Sequence, residues 1–222
     1  MATEITFLGH AGFLIDDGEH AVAIDPFLND NPVAVHKPQD IRCQTIALTH
    51  GHSDHVGDTV EIAKANGATV IAAFELCELL ASKGCQTNGG NPGGRINTDF
   101  GFIALTQAFH SSSYEGQYTG MPCRVVVNIG GVTIYHVGDT CLFGDMKLIG
   151  QIYKPDIACI PIGGQFTMGV EQASQAAELI GPKVAIPMHY STWPLLAQST
   201  SGFAPKGVEV RELASGQTWR HE

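Results

Sequence analysis

Positive charge is scarce in this sequence. Its 222 residues hold 12 Lys+Arg against 22 Asp+Glu, a formal net charge of -10. Broad contact with nucleic acid or anionic membrane needs clustered lysines and arginines, so neither extended nucleic acid nor a membrane is an expected partner. Charged residues of all kinds make up only 15% of the chain while hydrophobic ones reach 44%, which excludes a disordered chain and provides a sizeable core. Residues Met1 to Leu8 lack a basic region followed by an apolar stretch and a cleavage site, which argues against a secretory signal. The uncharged run from Val184 to Pro205 contains His189, Tyr190 and three prolines and does not read as a membrane helix. The six cysteines (Cys43, Cys77, Cys85, Cys123, Cys141 and Cys159) form no C-x-x-C pair and read as buried, reduced thiols. A cytoplasmic protein is expected. No G-x-S-x-G elbow is present, and Gly163-Gly164 is not followed by the Lys-Ser/Thr of a phosphate-binding loop.

Against these absences stand 10 histidines and 26 glycines. The chain opens with short strand-like runs at Ile5–Leu8, Phe13–Ile15, Ala21–Ile24 and Thr45–Thr49, with Asp17-Gly18 as a hairpin turn. Periodicity then predicts a helix over Val56–Ala65, a strand at Ala68–Ala72 and a helix at Glu75–Ser82, before the loop-like Asn88–Gly94. The second half repeats the rhythm. It has strands at Phe102–Phe109, Arg124–Ile129 and Val132–Val137, a helix at Phe143–Ile152, a strand at Ile157–Ile162, a helix at Glu171–Ile180 and a strand at Val184–Met188. Two short strands follow, Val208–Arg211 and Thr218–Arg220. Alternation without a linker predicts a layered α/β architecture and one domain over residues 1–222.

The chemistry is concentrated in Thr49-His50-Gly51-His52-Ser53-Asp54-His55. His50, His52, Asp54 and His55 directly follow a strand, and Gly51 is expected to let the backbone turn so that their side chains converge. So many adjacent ligands strain a single tetrahedral ion and suit two. His110, Asp139 and His189 each stand where another apolar strand ends, which brings all seven residues to one rim of a layered fold. Histidine with carboxylate and no cysteine favours zinc or manganese, with iron next. Two ions about 3.5–4 Å apart want a shared carboxylate, a role open to Asp139, and a hydroxide that attacks an electrophilic carbon or phosphorus.

His50-x-His52-x-Asp54-His55 with His110, Asp139 and His189 resembles the metallo-β-lactamase superfamily, whose fold is a four-layer αβ/βα sandwich with its site at one edge. The segments Leu8–Phe13, Ala108–Ser113, Tyr135–Thr140, Phe143–Lys147, Pro161–Gly169 and Pro187–Tyr190 look like a branch of small stand-alone metal-dependent hydrolases, similar to the L-ascorbate-6-phosphate lactonases. The resemblance implies one metal at His50, His52 and His110 and a second at Asp54, His55 and His189, with Asp139 bridging. Asp54 and Asp139 would be the catalytic carboxylates. Antibiotic-hydrolysing members carry cysteine at the bridge, which demotes β-lactam hydrolysis.

Around this set, His10 is a candidate pocket residue or a core histidine, and Tyr190 a candidate oxyanion donor or an edge aromatic. Asp25 either supports the metal loop or makes a turn before Pro26. His136 has the opposite strand parity to Asp139, which turns it away from the site unless the strand breaks at Gly138. The loops Ser111–Gly120 and Asn88–Gly94 compete to border the pocket. The expected function is hydrolysis of a small ester, lactone or amide by a hydroxide held between two divalent ions, with phosphodiester hydrolysis as the alternative. Redox diiron relatives usually carry Glu where His52 stands and a fused flavodoxin; a non-catalytic metal-binding protein is the remaining option. Two divalent ions leave the site itself net positive, so a small anionic substrate is admitted, and so is a homo-oligomer.

Overall fold

The computed structural model describes residues 2–222. Its first sheet has seven strands in the order β16-β1-β2-β3-β4-β5-β6. These are β1 (Thr3–Gly9), β2 (Gly12–Asp16), β3 (Ala21–Ile24), β4 (Thr45–Ala47), β5 (Thr69–Ala73), β6 (Gln86–Gly90) and β16 (Thr218–His221). The second, also of seven strands, runs β15-β14-β13-β12-β11-β8-β7. It comprises β7 (Arg95–Thr98), β8 (Gly101–Gln107), β11 (Cys123–Ile129), β12 (Val132–His136), β13 (Ile157–Pro161), β14 (Val184–Met188) and β15 (Glu209–Val210). A small hairpin, β9 (Ser113–Tyr114) with β10 (Gln117–Tyr118), stands apart from both.

Each sheet begins as an antiparallel meander and changes to parallel pairing. In the first, β1, β2 and β3 alternate, and β3 through β6 run parallel. In the second, β8, β11 and β12 alternate, and β12 through β15 run parallel. The parallel strands β13 and β14 are buried at every residue, as strands covered on both faces must be. The sheets face each other across a core that includes Ile5, Phe13, Ile46, Val125, Ile134 and Ile186. Helices α2 (Thr59–Asn66) and α3 (Phe74–Ser82) add Ile62, Leu76 and Leu80 to that cluster from the first sheet. Helices α4 (Met146–Tyr153) and α5 (Val170–Ile180) cover the second sheet through a separate core of Tyr135, Met146, Ile160, Ala173 and Ala177. The layers are therefore the expected αβ/βα sandwich.

Four local expectations change. The helix over Val56–Ala65 is split into α1 (Ser53–Val56) and α2, because Gly57 leaves the helical path with φ 45° and ψ -125°, while Asp58 beside it accepts hydrogen bonds from the Leu28 and Asn29 amides at 2.7 and 3.0 Å. Asn88-Gly89-Gly90 is no loop: it belongs to β6, where pairing with β5 supplies the ladder that its glycines disfavour by propensity. Strand β7 had no signal, its residues apart from Ile96 being polar and the whole strand only partly buried. Five cysteines are buried, but Cys141 is exposed. Among the described residues no helix is long and apolar enough to cross a membrane.

Candidate metal centre

Strand ends from both sheets meet at one rim. The chain leaves β1 at His10, β3 at Asp25 and β4 at Thr49 and His50, and α1 then carries Asp54 and His55. From the facing sheet, β8 leads to His110, β12 to Asp139 and β14 to His189. His10, Asp25 and His189 have positive φ angles of 56, 45 and 59°. Non-glycine residues in that region carry local strain, here on side chains that all turn into the same centre.

Three sets of donor atoms cluster within 4.8 Å and could hold a metal ion: His50, His52 and His110; His10, Asp54, His55 and His189; and His50, His55 and Asp139. Asp139 stands between them, with its carboxylate 3.4 Å from His55 Nε2, 3.5 Å from His110 Nε2 and 3.1 Å from His189 Nε2. His55 Nε2, His189 Nε2 and Asp139 Oδ1 are buried without a hydrogen-bond partner. Buried polar atoms are costly unless satisfied, and these three point into one small volume, so the donor set fits divalent cations.

Ring orientation is fixed from behind. Asp25 accepts from His55 Nδ1 at 2.7 Å and from the Thr49 amide and hydroxyl at 2.9 and 2.6 Å. The Thr49 hydroxyl, having donated to Asp25, accepts from His50 Nδ1 at 3.0 Å. Both histidines are thereby protonated at Nδ1 and present Nε2 to the centre. His52 Nε2 meets Ser111 Oγ at 3.2 Å, which leaves Nδ1 facing inward. Ionised Asp54 can only accept, so His10 donates to it from Nε2 at 3.1 Å, and His10 Nδ1 takes the Thr192 hydroxyl at 2.8 Å.

Electrostatics support the same arrangement. Burial pushes His10 down to about 4, against the upward pull of its Asp54 hydrogen bond. Burial and neighbouring His55 hold His50 well below the ordinary imidazole value. For Asp139 and Asp54 burial acts upward but is outweighed, chiefly by His189 and His55 in one case and by His55 and His10 in the other, so both stay below the ordinary carboxylate range. Burial acts downward on His55, yet Asp139, Asp25 and Asp54 raise it well above its usual value. The field at this point favours positive charge.

All seven residues expected as ligands come together. Asp25 takes the supporting role rather than a simple turn. His10 is fully buried beneath Asp54 and joins one donor set instead of lining the pocket. Tyr190 packs on the helix-side core, out of the pocket, because β14 ends at Met188 and His189 turns the chain. His136 is structural, donating from Nε2 to Ala11 O at 2.8 Å, but it faces the inter-sheet core beside Phe13 rather than the opposite side. The break at Gly138, with φ 55°, then swings Asp139 back to the same side. Gly51 has no positive φ; its need is space, since a Cβ there would lie 2.0 Å from Thr119 Oγ1.

The pocket over the centre, about 330 Å³, is lined by His52, Asp54, His110, Asp139, Phe166 and Trp193, among others. Residues from Ser111 to Gly116 border it or its neighbours, whereas Asn88 lies on a cavity at the opposite end. Phe166 and Trp193 escaped sequence reasoning; the one available signal was that each stands a few residues beyond the end of a strand, β13 or β14. Arg124 was also missed. It is completely buried, donating to Tyr135 Oη at 3.1 Å and to Thr140, the residue after Asp139.

Comparison with known proteins agrees with this geometry. The family described as "Beta-lactamase superfamily domain" matches residues 4–189. A UPF0173 metal-dependent hydrolase of Carboxydothermus hydrogenoformans is 49% identical over 221 residues, covering 96% of this chain and 98% of that one. One from Symbiobacterium thermophilum is 48% identical over 217 residues, covering 96% and 94%. The solved structure of Igni18, a metallo hydrolase from Ignicoccus hospitalis, superposes with a TM-score of 0.91 at 35% identity, covering 100% of this chain and 99% of that one. None of these three carries the name of an ascorbate-6-phosphate lactonase, and that finer likeness rests on the sequence segments alone. With a donor set for cations at the rim of an αβ/βα sandwich and relatives of this identity along its whole length, the chain belongs to the β-lactamase superfamily and is one of its metal-dependent hydrolases.

Proposed function

We propose that the protein cleaves a small ester, lactone or amide at a centre of two divalent ions, zinc or manganese in preference to iron. The observation that carries this reading is the convergence of buried, unpartnered His55 Nε2, His189 Nε2 and Asp139 Oδ1 between two sets of histidine donors. His50, His52 and His110 would hold one ion and Asp54, His55 and His189 the other, with the Asp139 carboxylate between the two sets. Bound there, the ions supply Lewis acidity toward a water and toward the substrate carbonyl.

The chain's own groups do the remaining work. Asp25 fixes His55 directly and His50 through Thr49, so neither ring has to choose a tautomer when the site fills. His10 holds Asp54 Oδ2, the oxygen that lies 3.9 Å from both His55 Nε2 and His189 Nε2. Trp193 and Phe166 exclude water from part of the cavity wall and offer apolar surface to the substrate. No serine or cysteine nucleophile is required.

Purification without oxygen, elemental analysis and a panel of esters, lactones and bis-nitrophenyl phosphate tests the proposal. About two divalent ions per chain with turnover of carboxylic substrates is the expected result. Turnover of the phosphodiester alone would move the assignment to phosphorus chemistry.

A further inference from the structure

Two further cavities flank the one over the metal centre, and their walls differ. On the His110 side a cavity of about 510 Å³ is lined by apolar Ala108, Phe109, Tyr118, Met121 and Pro122 beside Ser111. On the Asp54 side a cavity of about 490 Å³ is walled by Phe27, Tyr114 and Trp193, with Asp30 and Asp58 at its margin. Trp193 and Asp54 are shared with the central pocket, so this arm opens directly onto the centre. Among the described residues, no lysine or arginine lines these cavities or the one beside Glu115. Lys83 Nζ lies over the Tyr114 ring, 5.6 Å from its centroid, and is held there by Glu115 at 2.6 Å, so Tyr114 already has its cation.

We propose that the substrate carries no anionic group beside the scissile bond, and that it presents a positive charge, such as a quaternary or protonated amine, to the aromatic arm between Trp193, Phe27 and Asp30. This rests on the hydrolase reading above and narrows its substrate class. The reasons are physical. Aromatic faces attract ammonium groups through their quadrupole, and an adjacent carboxylate adds to that attraction. An anion in the same arm meets Asp30 and Asp58 within a Debye length of about 8 Å, and the nearby cation, Lys83, is already paired with Glu115. A chain of net charge -10 also repels anions before they arrive. His189 and Asp139, whose Nε2 and Oδ1 are buried and unpartnered, line the central pocket that shares Asp54 and Trp193 with this arm, and the reacting bond would sit there. The apolar arm beyond His110 takes the uncharged acyl group.

Phenylacetate esters of choline, of 3,3-dimethylbutanol and of 3-hydroxypropanesulfonate differ in charge at the far end of the alcohol. With metal-loaded protein, kcat/KM should fall in that order, by about threefold to tenfold at each step. Asp30→Lys, an exposed position, should compress or reverse the order through KM. Equal rates, or fastest cleavage of the sulfonate ester, would overturn the inference while leaving the hydrolase reading intact. Cleavage of none of the three would count against the hydrolase reading, and the charge preference would then be judged by binding. Phenyltrimethylammonium should quench tryptophan fluorescence of the full-length protein, and Asp30→Lys should weaken it by a similar factor. No quenching, or quenching indifferent to Asp30→Lys, overturns the proposal.

Discussion

The two ends of the sandwich make an instructive pair. Both carry a cavity lined by polar side chains, and the larger is at the end away from the metal centre. There a space of about 620 Å³ lies among Glu19, His20, Thr45, Thr69, Asp99 and Phe100, against about 330 Å³ over the centre. The volume of that one cavity is no guide to function, since the space over the centre adjoins flanking cavities of about 490 and 510 Å³. The far end collects strand starts and turns, and its positive φ angles fall on glycines such as Gly18, Gly101 and Gly131, with Lys154 before β13 the exception. The centre collects strand ends. It takes positive φ on His10, Asp25, His189 and Ser191, four of the six non-glycine residues with that conformation among the described ones. Glycine adopts such angles without strain, whereas a histidine or aspartate does so only where the surrounding structure holds it. At the centre the strain accompanies buried donors that converge; at the far end the polar groups face water and do not.

The contrast can be broken by substitution. The largest expected effect is at Asp139. Asp139→Asn keeps the shape and removes the charge, and kcat should fall on the order of a thousandfold with the fold intact by circular dichroism. Full activity with metal bound would remove the special standing of this end. Asp25→Asn should act more mildly, lowering metal affinity about 10–100-fold in a chelator competition, because an amide cannot serve as acceptor for His55, Thr49 and their neighbours in the same way. Excess metal should restore the rate. The smallest effect on catalysis is expected at the far end. Gly101 has φ 143°, and a Cβ there would lie 2.3 Å from Asn128 O, so Gly101→Ala should cost about 1–3 kcal/mol in urea unfolding while kcat per folded molecule is unchanged. A loss of kcat there would show that the two ends are coupled.

Much of the layered order was legible from local pattern. Strands such as Ala21–Ile24 and Val184–Met188 agree to the residue, because a short apolar run with flanking turn signals has few alternatives. Strands β6 and β7 were not legible, since a glycine-rich edge segment has no propensity of its own and takes its conformation from the neighbour it pairs with. For the centre, the density of ligands around His50 and the repeated placement of His110, Asp139 and His189 after strands picked out side chains that the fold brings together. Thr49, Thr192 and Arg124 had no such mark. A hydroxyl that sets a tautomer, or a buried arginine that holds the neighbouring loop, is recognisable only from its partner.

The sequence by itself determined which side chains could ligate and that they follow strands, because strand period and ligand chemistry are local properties. Only the tertiary structure decided how each is used. It buried His10 under Asp54, turned Tyr190 away to the helix side, brought Asp139 back across Gly138, and placed Trp193 over one flank of the pocket. These outcomes depend on backbone angles and on the approach of two sheets from distant parts of the chain, which no local pattern encodes. The chain's acidity looked like a general property of the surface. In the folded protein it becomes specific, with carboxylates facing inward around a place for cations and outward along one arm of the cleft.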